Sequence, residues 1–410
     1  MKRDKYGLLT LVSTVVGTVI GSGIFFKTEE ILEMTNGNYT TGLFALALGG
    51  AVMVICAFAM ASLAKGSGGD GLVGYAEETC GEGYARAVAV FSAVFYLPSM
   101  TAVLARVGGE YLCSVLNVGG SVTLRCVASM ALLMLSFFIN ILSPRLASGF
   151  QVGATAIKLI PLVFICFFGG VLVLTEGVGE APVASANGLF PAVLSAAFAY
   201  EGWISVTALG GDGVNGKSIG KALLFGTAMV FFIYVLYYLA LIKISGGSSA
   251  AAFERILGEQ GGKIMLAFVA VSCLGALNGL TMSTIRGWSV LTRLIKRKGV
   301  SFNAGITALF ISGLWLALDL FASTSASKYA LFSLDPAEAS ISVMYALYFP
   351  MFISSACSKG KTFSLTNIFV LLTAAAASFL IFIAGPVSYG HLMTVYASIV
   401  AIVLMTASAR

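Results

Sequence analysis

The chain has 410 residues, 58% of them hydrophobic and only 10% charged, with a net charge of +6 and a mean hydropathy of +0.96. An ordinary soluble domain carries roughly 25% charged residues. The composition therefore excludes a water-soluble globule, and the positive balance leaves no nucleic-acid footprint once its distribution along the chain is considered.

Apolar runs of ~20 residues recur along the whole sequence, each long enough to cross a ~30 Å hydrocarbon core as a helix. With Gly, Pro and charge clusters as breaks, about twelve spans are expected. They fall near 7–34, 38–64, 84–113, 121–143, 148–174, 189–210, 220–245, 262–292, 302–321, 327–357, 364–385 and 388–408. Met1-Lys2-Arg3-Asp4-Lys5 before the first run resembles a secretory signal, but no small-residue cleavage pattern follows, so that run is expected to be retained. Several spans exceed the minimum length and are expected to tilt. The segment "GGSSAAAFERILGEQG" over 246–261 is too polar to cross and predicts a short surface helix between spans seven and eight. The short loops predict a single all-α, polytopic membrane domain over 1–410. The seven cysteines form no CxxC pair or Cys/His cluster, so no metal, cofactor or disulfide framework is expected.

Charge sets the expected orientation. Lys2, Arg3 and Lys5 precede span one, and Arg145 follows span four. Lys217 and Lys221 follow span six, "RLIKRK" (Arg293 to Lys298) span eight, and Lys359 and Lys361 span ten. All fall on one side of a twelve-span chain, which the positive-inside rule assigns to the cytoplasm together with both termini. The acidic "KTEEILE" and "TEGVGE" segments fall towards the other side.

Two spans are interrupted. Span one reads "VVGTVIGSGIFF", Val15 to Phe26, and a helix-interior glycine costs ~1 kcal/mol relative to alanine. Gly17 and Gly21 form a GxxxG pair suited to close helix packing. Ser22-Gly23 points around the helix instead, so an unwound segment is expected there. Span six reads "LSAAFAYEGWISVTALGG", with Glu201-Gly202 at mid-depth, where a bare carboxylate costs at least ~2.5 kcal/mol and usually faces a cavity or a partner. The interrupted spans are separated by five, an odd offset that places them in opposite orientation. That is the pattern of an inverted repeat of five plus five helices with a binding site where both leading helices unwind. The second half of span one would offer free N–H groups and a positive dipole end to a carboxylate. Free carbonyls at the ends of the first halves suit an ammonium group, so together they fit a zwitterionic α-amino acid.

Four blocks carry a family resemblance: "GTVIGSGIF" (Gly17 to Phe25), "AKGSGGD" (Ala64 to Asp70) followed by Tyr75, "AFAYEGW" (Ala197 to Trp203) and "SCLGALNG" (Ser272 to Gly279). In order and spacing they resemble the amino acid–polyamine–organocation transporters, within them the L-type amino acid transporter branch and its bacterial serine/threonine- or alanine-exchanging relatives. The resemblance implies a LeuT-type fold working by alternating access without ATP, with repeats about 7–174 and 189–357 and two further helices about 364–408. It implies that Gly21, Ser22 and Gly23 lie at the substrate site, with backbone N–H groups of Ser22 and Gly23 on the carboxylate. Phe198, Ala199 and Glu201 would offer main-chain carbonyls to the amino group, with the Phe198 ring closing over the site, and Asn278 would lie near the pocket. The chain departs from the family after span six, where "GDGVNGKSIGKAL" keeps Asn215 and lacks both prolines of the usual Asn-Pro-x-x-Asn-[Leu/Ile]-Pro loop. Glu201 stands where many L-type members have glycine. Span ten, with Asp335 and Glu338, gives no register against the family. A heavy-chain partner like that of animal relatives is not implied, because no cysteine stands in the outer loop after span three, Cys113 lying at the span's end.

Lys158, in "GFQVGATAIKLIPLVF", lies about ten residues and so roughly 15 Å into span five, near the limit of snorkelling. The resemblance implies that its ammonium reaches the unwound part of span one, where sodium-coupled relatives bind a cation, and so implies sodium-independent transport. Burial also favours loss of a lysine proton, which leaves both amino acid exchange and proton-coupled uptake open, with exchange of small neutral amino acids favoured by the nearer branch.

Other signals are discounted. "GDGLVG" and "GDGVNG" match the dinucleotide fingerprint GxGxxG but follow no strand. The single histidine, His391, could pair with Ser22 in an intramembrane hydrolase, but no third orienting group is evident and the break in span six would serve nothing. A passive channel is the remaining alternative.

Overall fold

The computed structural model describes residues 7–64, 71–176, 183, 185–210, 214–294, 304–325, 334–357 and 365–408. Outside them lie the basic leader Met1 to Lys5, nearly all of "AKGSGGD", most of "RLIKRK", Lys359, Lys361 and parts of "TEGVGE" and of both GxGxxG segments. Among the described residues every regular element is helical, as expected for a chain whose backbone must satisfy itself within lipid.

Span one is a pair, α1 (Leu8–Val19) and α2 (Gly23–Met34), bent by 43° at the break. Then come α3 (Tyr39–Ala64), the short α4 (Leu72–Cys80), and a third span made of α5 (Glu82–Phe91), a π-helical turn (Ser92–Tyr96) and α6 (Leu97–Val115). Next, α7 (Val122–Leu142) and α8 (Pro144–Glu176) are spans four and five. Span six is α9 (Leu189–Ala199) followed by a 3-10 segment, Trp203–Gly210. The rest are α10 (Gly216–Ser245), α11 (Ser249–Leu257), α12 (Gly261–Leu294), α13 (Ala304–Ser325), α14 (Pro336–Cys357), α15 (Leu365–Tyr389) and α16 (His391–Ser408). Ten described helices are long and apolar enough to cross a membrane, eleven with the bent α1–α2 pair, and α16 is a shorter apolar helix in the place of the expected twelfth span. The surface helix expected within 246–261 is α11; α4 was not expected.

Local chemistry sets the ends. Ser121, Asn215 and Ser248 accept hydrogen bonds from Leu124, Lys217 and Ala251 at the starts of α7, α10 and α11, and Asp335 does the same for Ala337 and Glu338 of α14. Each cap satisfies N–H groups that a helix leaves without partners. Pro144 begins α8, a position where its missing N–H costs nothing.

Burial divides the spans into two layers. The most apolar window of the third span is 83% buried, whereas those of α7 and α8 are 22% and 28%. The outer helices present Leu135, Phe138, Val163, Phe167, Phe310 and Ile402 outward, a surface that only lipid can cover. The chain is a multi-pass membrane protein whose broken spans lie in the inner layer.

Candidate functional site

Both breaks are three residues long: Ile20-Gly21-Ser22 between α1 and α2, and Tyr200-Glu201-Gly202 between α9 and the 3-10 segment. In the first, the N–H groups of Ser22, Gly23 and Ile24 have no hydrogen-bond partner among the described residues. In the second, the carbonyls of Ala199 and Glu201 accept none from the backbone, while the Phe198 carbonyl already accepts from Glu201 N–H at 3.0 Å. The two breaks abut. A Cβ on Gly23 would stand 3.1 Å from Ala199 Cα and 3.6 Å from its carbonyl oxygen, so a side chain there is accommodated only if the opposing break gives by a few tenths of an ångström. Gly202 has φ +108°, the left-handed region that favours glycine, and a Cβ there would lie 2.9 Å from the Thr18 carbonyl.

A cavity of about 70 Å³ opens between the breaks. Gly21, Ser22, Gly23, Phe198, Ala199 and Glu201 all line it, six of the residues singled out from the sequence. The packing role of the GxxxG pair is realised as well. Gly17 lies against Thr155 of α8 and Gly21 against Ala276 of α12, while the helix opens at Ser22-Gly23.

Asn278 lies beside the cavity wall without lining it. From α12 the cavity is lined by Ala276, Gly279, Leu280 and Ser283, whereas Asn278 accepts a hydrogen bond from Asn140 of α7 at 2.8 Å. At about 100° per residue it lies off that stripe. Its role here is to tie α12 to α7, alongside Ser136 and Thr281, whose hydroxyls are 2.9 Å apart.

Lys158 is fully buried, and its Nζ donates to the carbonyl of Gly17 in the last turn of α1. Tyr234 of α10 donates to the Val19 carbonyl at 2.9 Å, which also accepts from the Gly21 N–H at 2.6 Å. Lys158 thus holds an acceptor that the end of α1 would otherwise leave bare. Glu201 is held by Tyr96, whose hydroxyl donates to Oε1, and the Gly202 N–H lies beside the carboxyl group, while buried Oε2 has no side-chain partner among the described residues. Tyr96 closes the π-helical turn of the third span, a local widening often found at functional sites. Neither tyrosine was singled out from the sequence.

Above the cavity, towards the end of α2, the Phe198 ring packs edge-on against Phe26, their centroids 5.8 Å apart, and Lys27 Nζ lies 4.8 Å from the Phe198 centroid. Lys27 bonds Glu338 of α14 at 2.6 Å and Glu30 at 2.7 Å, and Tyr389 of α15 donates to Glu338 Oε2 at 2.6 Å. His391 is exposed at the start of α16, whereas Ser22 is buried.

An all-helical bundle with two helices opened against each other around a buried cavity defines a membrane protein of the LeuT-type fold. The chain belongs to the amino acid permease family, whose pattern matches residues 6–408. It is 28% identical over 380 residues to the serine/threonine exchanger SteT of Bacillus subtilis (strain 168), covering 88% of this chain and 85% of that one. It is 29% identical over 308 residues to the mouse (Mus musculus) Asc-type amino acid transporter 1, covering 69% of this chain and 57% of the relative. The human (Homo sapiens) b(0,+)-type amino acid transporter 1 is 26% identical over 305 residues, 68% of this chain and 60% of that one. The fold is similar to that of a crystal structure of a mutant manganese transporter from Eremococcus coleocola, with a TM-score of 0.60, 10% identity, and coverage of 100% and 96% of the two chains. The relatives by sequence are transporters and exchangers of amino acids, and none of these is an enzyme.

Proposed function

We propose that the protein is a secondary active transporter that exchanges small neutral L-amino acids across the cell membrane by alternating access, independently of sodium, with both termini in the cytoplasm. One observation carries the reading: Ser22 and Gly23, whose N–H groups have no partner among the described residues, line one cavity together with Ala199 and Glu201, whose carbonyls accept no bond from the described backbone. Donors at a helix N-terminus suit a carboxylate, and carbonyls suit an ammonium. Ser22 and Gly23 then hold the substrate carboxylate, Gly21 gives the backbone room, and Ala199, Glu201 and Phe198 receive the amino group beneath the Phe198 ring. Asn278 supports the site through α7. The two breaks are corresponding parts of inverted repeats, about 7–174 and 189–357, and rocking of one against the other exposes the site to each side in turn.

Size favours small substrates. A cavity of about 70 Å³ has room for roughly five water-sized groups at about 10–15 Å³ each, which suits an amino acid with a short side chain. The name of the Bacillus subtilis relative, a serine/threonine exchanger, agrees with that size. The Lys158 Nζ, which donates to the Gly17 carbonyl at the end of α1, supports sodium independence.

The buried Oε2 of Glu201, without a side-chain partner among the described residues, supports a second reading, proton-coupled uptake or acceptance of cationic side chains. One experiment separates them: uptake of radiolabelled L-serine into proteoliposomes with and without internal L-serine, in sodium or choline buffer and under an imposed proton gradient. Exchange requires loaded vesicles and ignores both gradients. Uptake into empty vesicles as fast as into loaded ones sinks the exchange reading, and stimulation by the proton gradient establishes the other.

A further inference from the structure

A second cavity of about 480 Å³ lies between α2, α6, α7 and the start of α14. Six of its lining side chains are charged, the cationic Lys27, Arg106 and Arg125 and the anionic Glu30, Glu110 and Asp335. Four are paired within the wall, Lys27 with Glu30 at 2.7 Å and Arg106 with Glu110 at 3.2 Å. Arg106 further bonds Asp319 of α13 at 2.6 Å. Arg125 and Asp335 form no ion pair with any described residue, and Arg125 Nε is buried without a partner. Asp335 uses Oδ1 to cap α14; its charge acts on Lys27 and Arg106, but no described cation lies at ion-pair distance from it.

One cation and one anion around a single basin, neither ion-paired with a described residue, suit a ligand carrying one charge of each sign. A net anion would face three carboxylates and a net cation three bases, whereas a zwitterion leaves the balance intact. Position gives the basin a direction. Lys27 lines it and also lies over the ring of Phe198, which lines the central cavity. A ligand passing between the two cavities must therefore displace Lys27 from Glu338 and turn the Phe198 ring.

We infer that the second cavity is a loading site for a zwitterionic α-amino acid, with Arg125 receiving the carboxylate and Asp335 the ammonium before the Lys27–Glu338 closure opens. This rests on the transport reading above and adds to it a site that the two helix breaks do not form.

The test is sided. Cells expressing the full chain, and inside-out vesicles from the same cells, are assayed with whichever of the twenty radiolabelled amino acids, starting from L-serine, the wild type accumulates fastest. Arg125→Gln and Asp335→Asn are each expected to raise the external half-saturation concentration about tenfold, the loss of one charge-assisted hydrogen bond. Maximal rate and cytoplasmic half-saturation should stay within about twofold, and Arg125→Lys should recover part of the loss. Asparagine at position 335 keeps the helix cap, so that variant reads charge and not folding. An unchanged external half-saturation, an equal shift on both sides, or a fall in maximal rate alone overturns the loading site. If the wild type accumulates none of the twenty, the transport reading itself falls, and this inference with it.

Discussion

The two helix breaks are equal in length and opposite in chemistry. Ile20-Gly21-Ser22 brings no charge and no bulk at Gly21 and Ser22, so what the first break offers the cavity is backbone. Tyr200-Glu201-Gly202 brings a large ring and a carboxylate, and the second break offers side-chain chemistry beside its carbonyls. Each is held open by residues from other spans, Lys158 and Tyr234 for the first and Tyr96 for the second. A backbone site tolerates no added bulk but is indifferent to side-chain identity. A side-chain site should respond in the reverse way, by changes of degree.

The largest effect is therefore expected at Gly23. A Cβ there already stands 3.1 Å from backbone of the opposing break, and the γ-methyls of Gly23→Val would push the breaks apart. With hydrogen bonds to charged groups worth about 1.5–3 kcal/mol each, loss of two should reduce exchange of L-serine in proteoliposomes by ~100-fold or more. Gly23→Ala should fall between, since its contact can be relieved by a few tenths of an ångström. A Gly23→Val protein that exchanges at the wild-type rate would remove the first break from the site.

Next in size is Lys158→Ala. It strips the Gly17 carbonyl of its donor, and a buried acceptor left bare costs about 1–3 kcal/mol, so a drop in exchange rate of ~10- to 100-fold is expected. Because Lys158 supplies the local positive charge, wild-type rates should be the same in sodium and choline buffers. A wild-type requirement for sodium would show that this charge does not stand in for an ion.

Both breaks were legible in the sequence because Gly-Ser-Gly and Glu-Gly violate helix propensity and membrane cost at mid-span. Their supports were legible only where they violated a rule too. Lys158 is a charge in an apolar run, whereas Tyr96 and Tyr234 are aromatic residues in apolar helices, where nothing marks them as donors. The π-helical turn that delivers Tyr96 shifts the register of the third span without a break in hydropathy. Asn278, expected near the pocket, lies beside the lining residue Gly279, while Ala276, Gly279, Leu280 and Ser283 carry the facing stripe. The pairing of Lys27 with Glu338 joins positions some three hundred residues apart in sequence, a contact that only the folded bundle reveals.

At the second break a smaller change is expected. Glu201→Gln keeps the shape and an acceptor for Tyr96 but removes the charge, and charge-assisted hydrogen bonds are roughly twice as strong as neutral ones. Exchange of a neutral amino acid should fall by less than about tenfold, and Tyr96→Phe should produce a similar loss. If the two act as one unit, the double variant loses little more than either single one, which a double-mutant cycle measures. Additive losses would mean that Tyr96 and Glu201 serve the site separately.

Ser22→Ala should have the smallest effect of all. The hydroxyl lies against Cys273 and has no oxygen or nitrogen partner among the described residues, so its removal costs only a weak thiol hydrogen bond. The N–H that faces the cavity belongs to the backbone and survives the change, so exchange should stay within about threefold of wild type, well below the loss of one hydrogen bond to a charged group. The contrast with its neighbour makes the measurement informative: Ser22 and Gly23 are adjacent along the chain, yet one position can lose its side chain and the other cannot gain one. If Ser22→Ala were as damaging as Gly23→Val, the hydroxyl itself would be a ligand, and the first break would resemble the second after all.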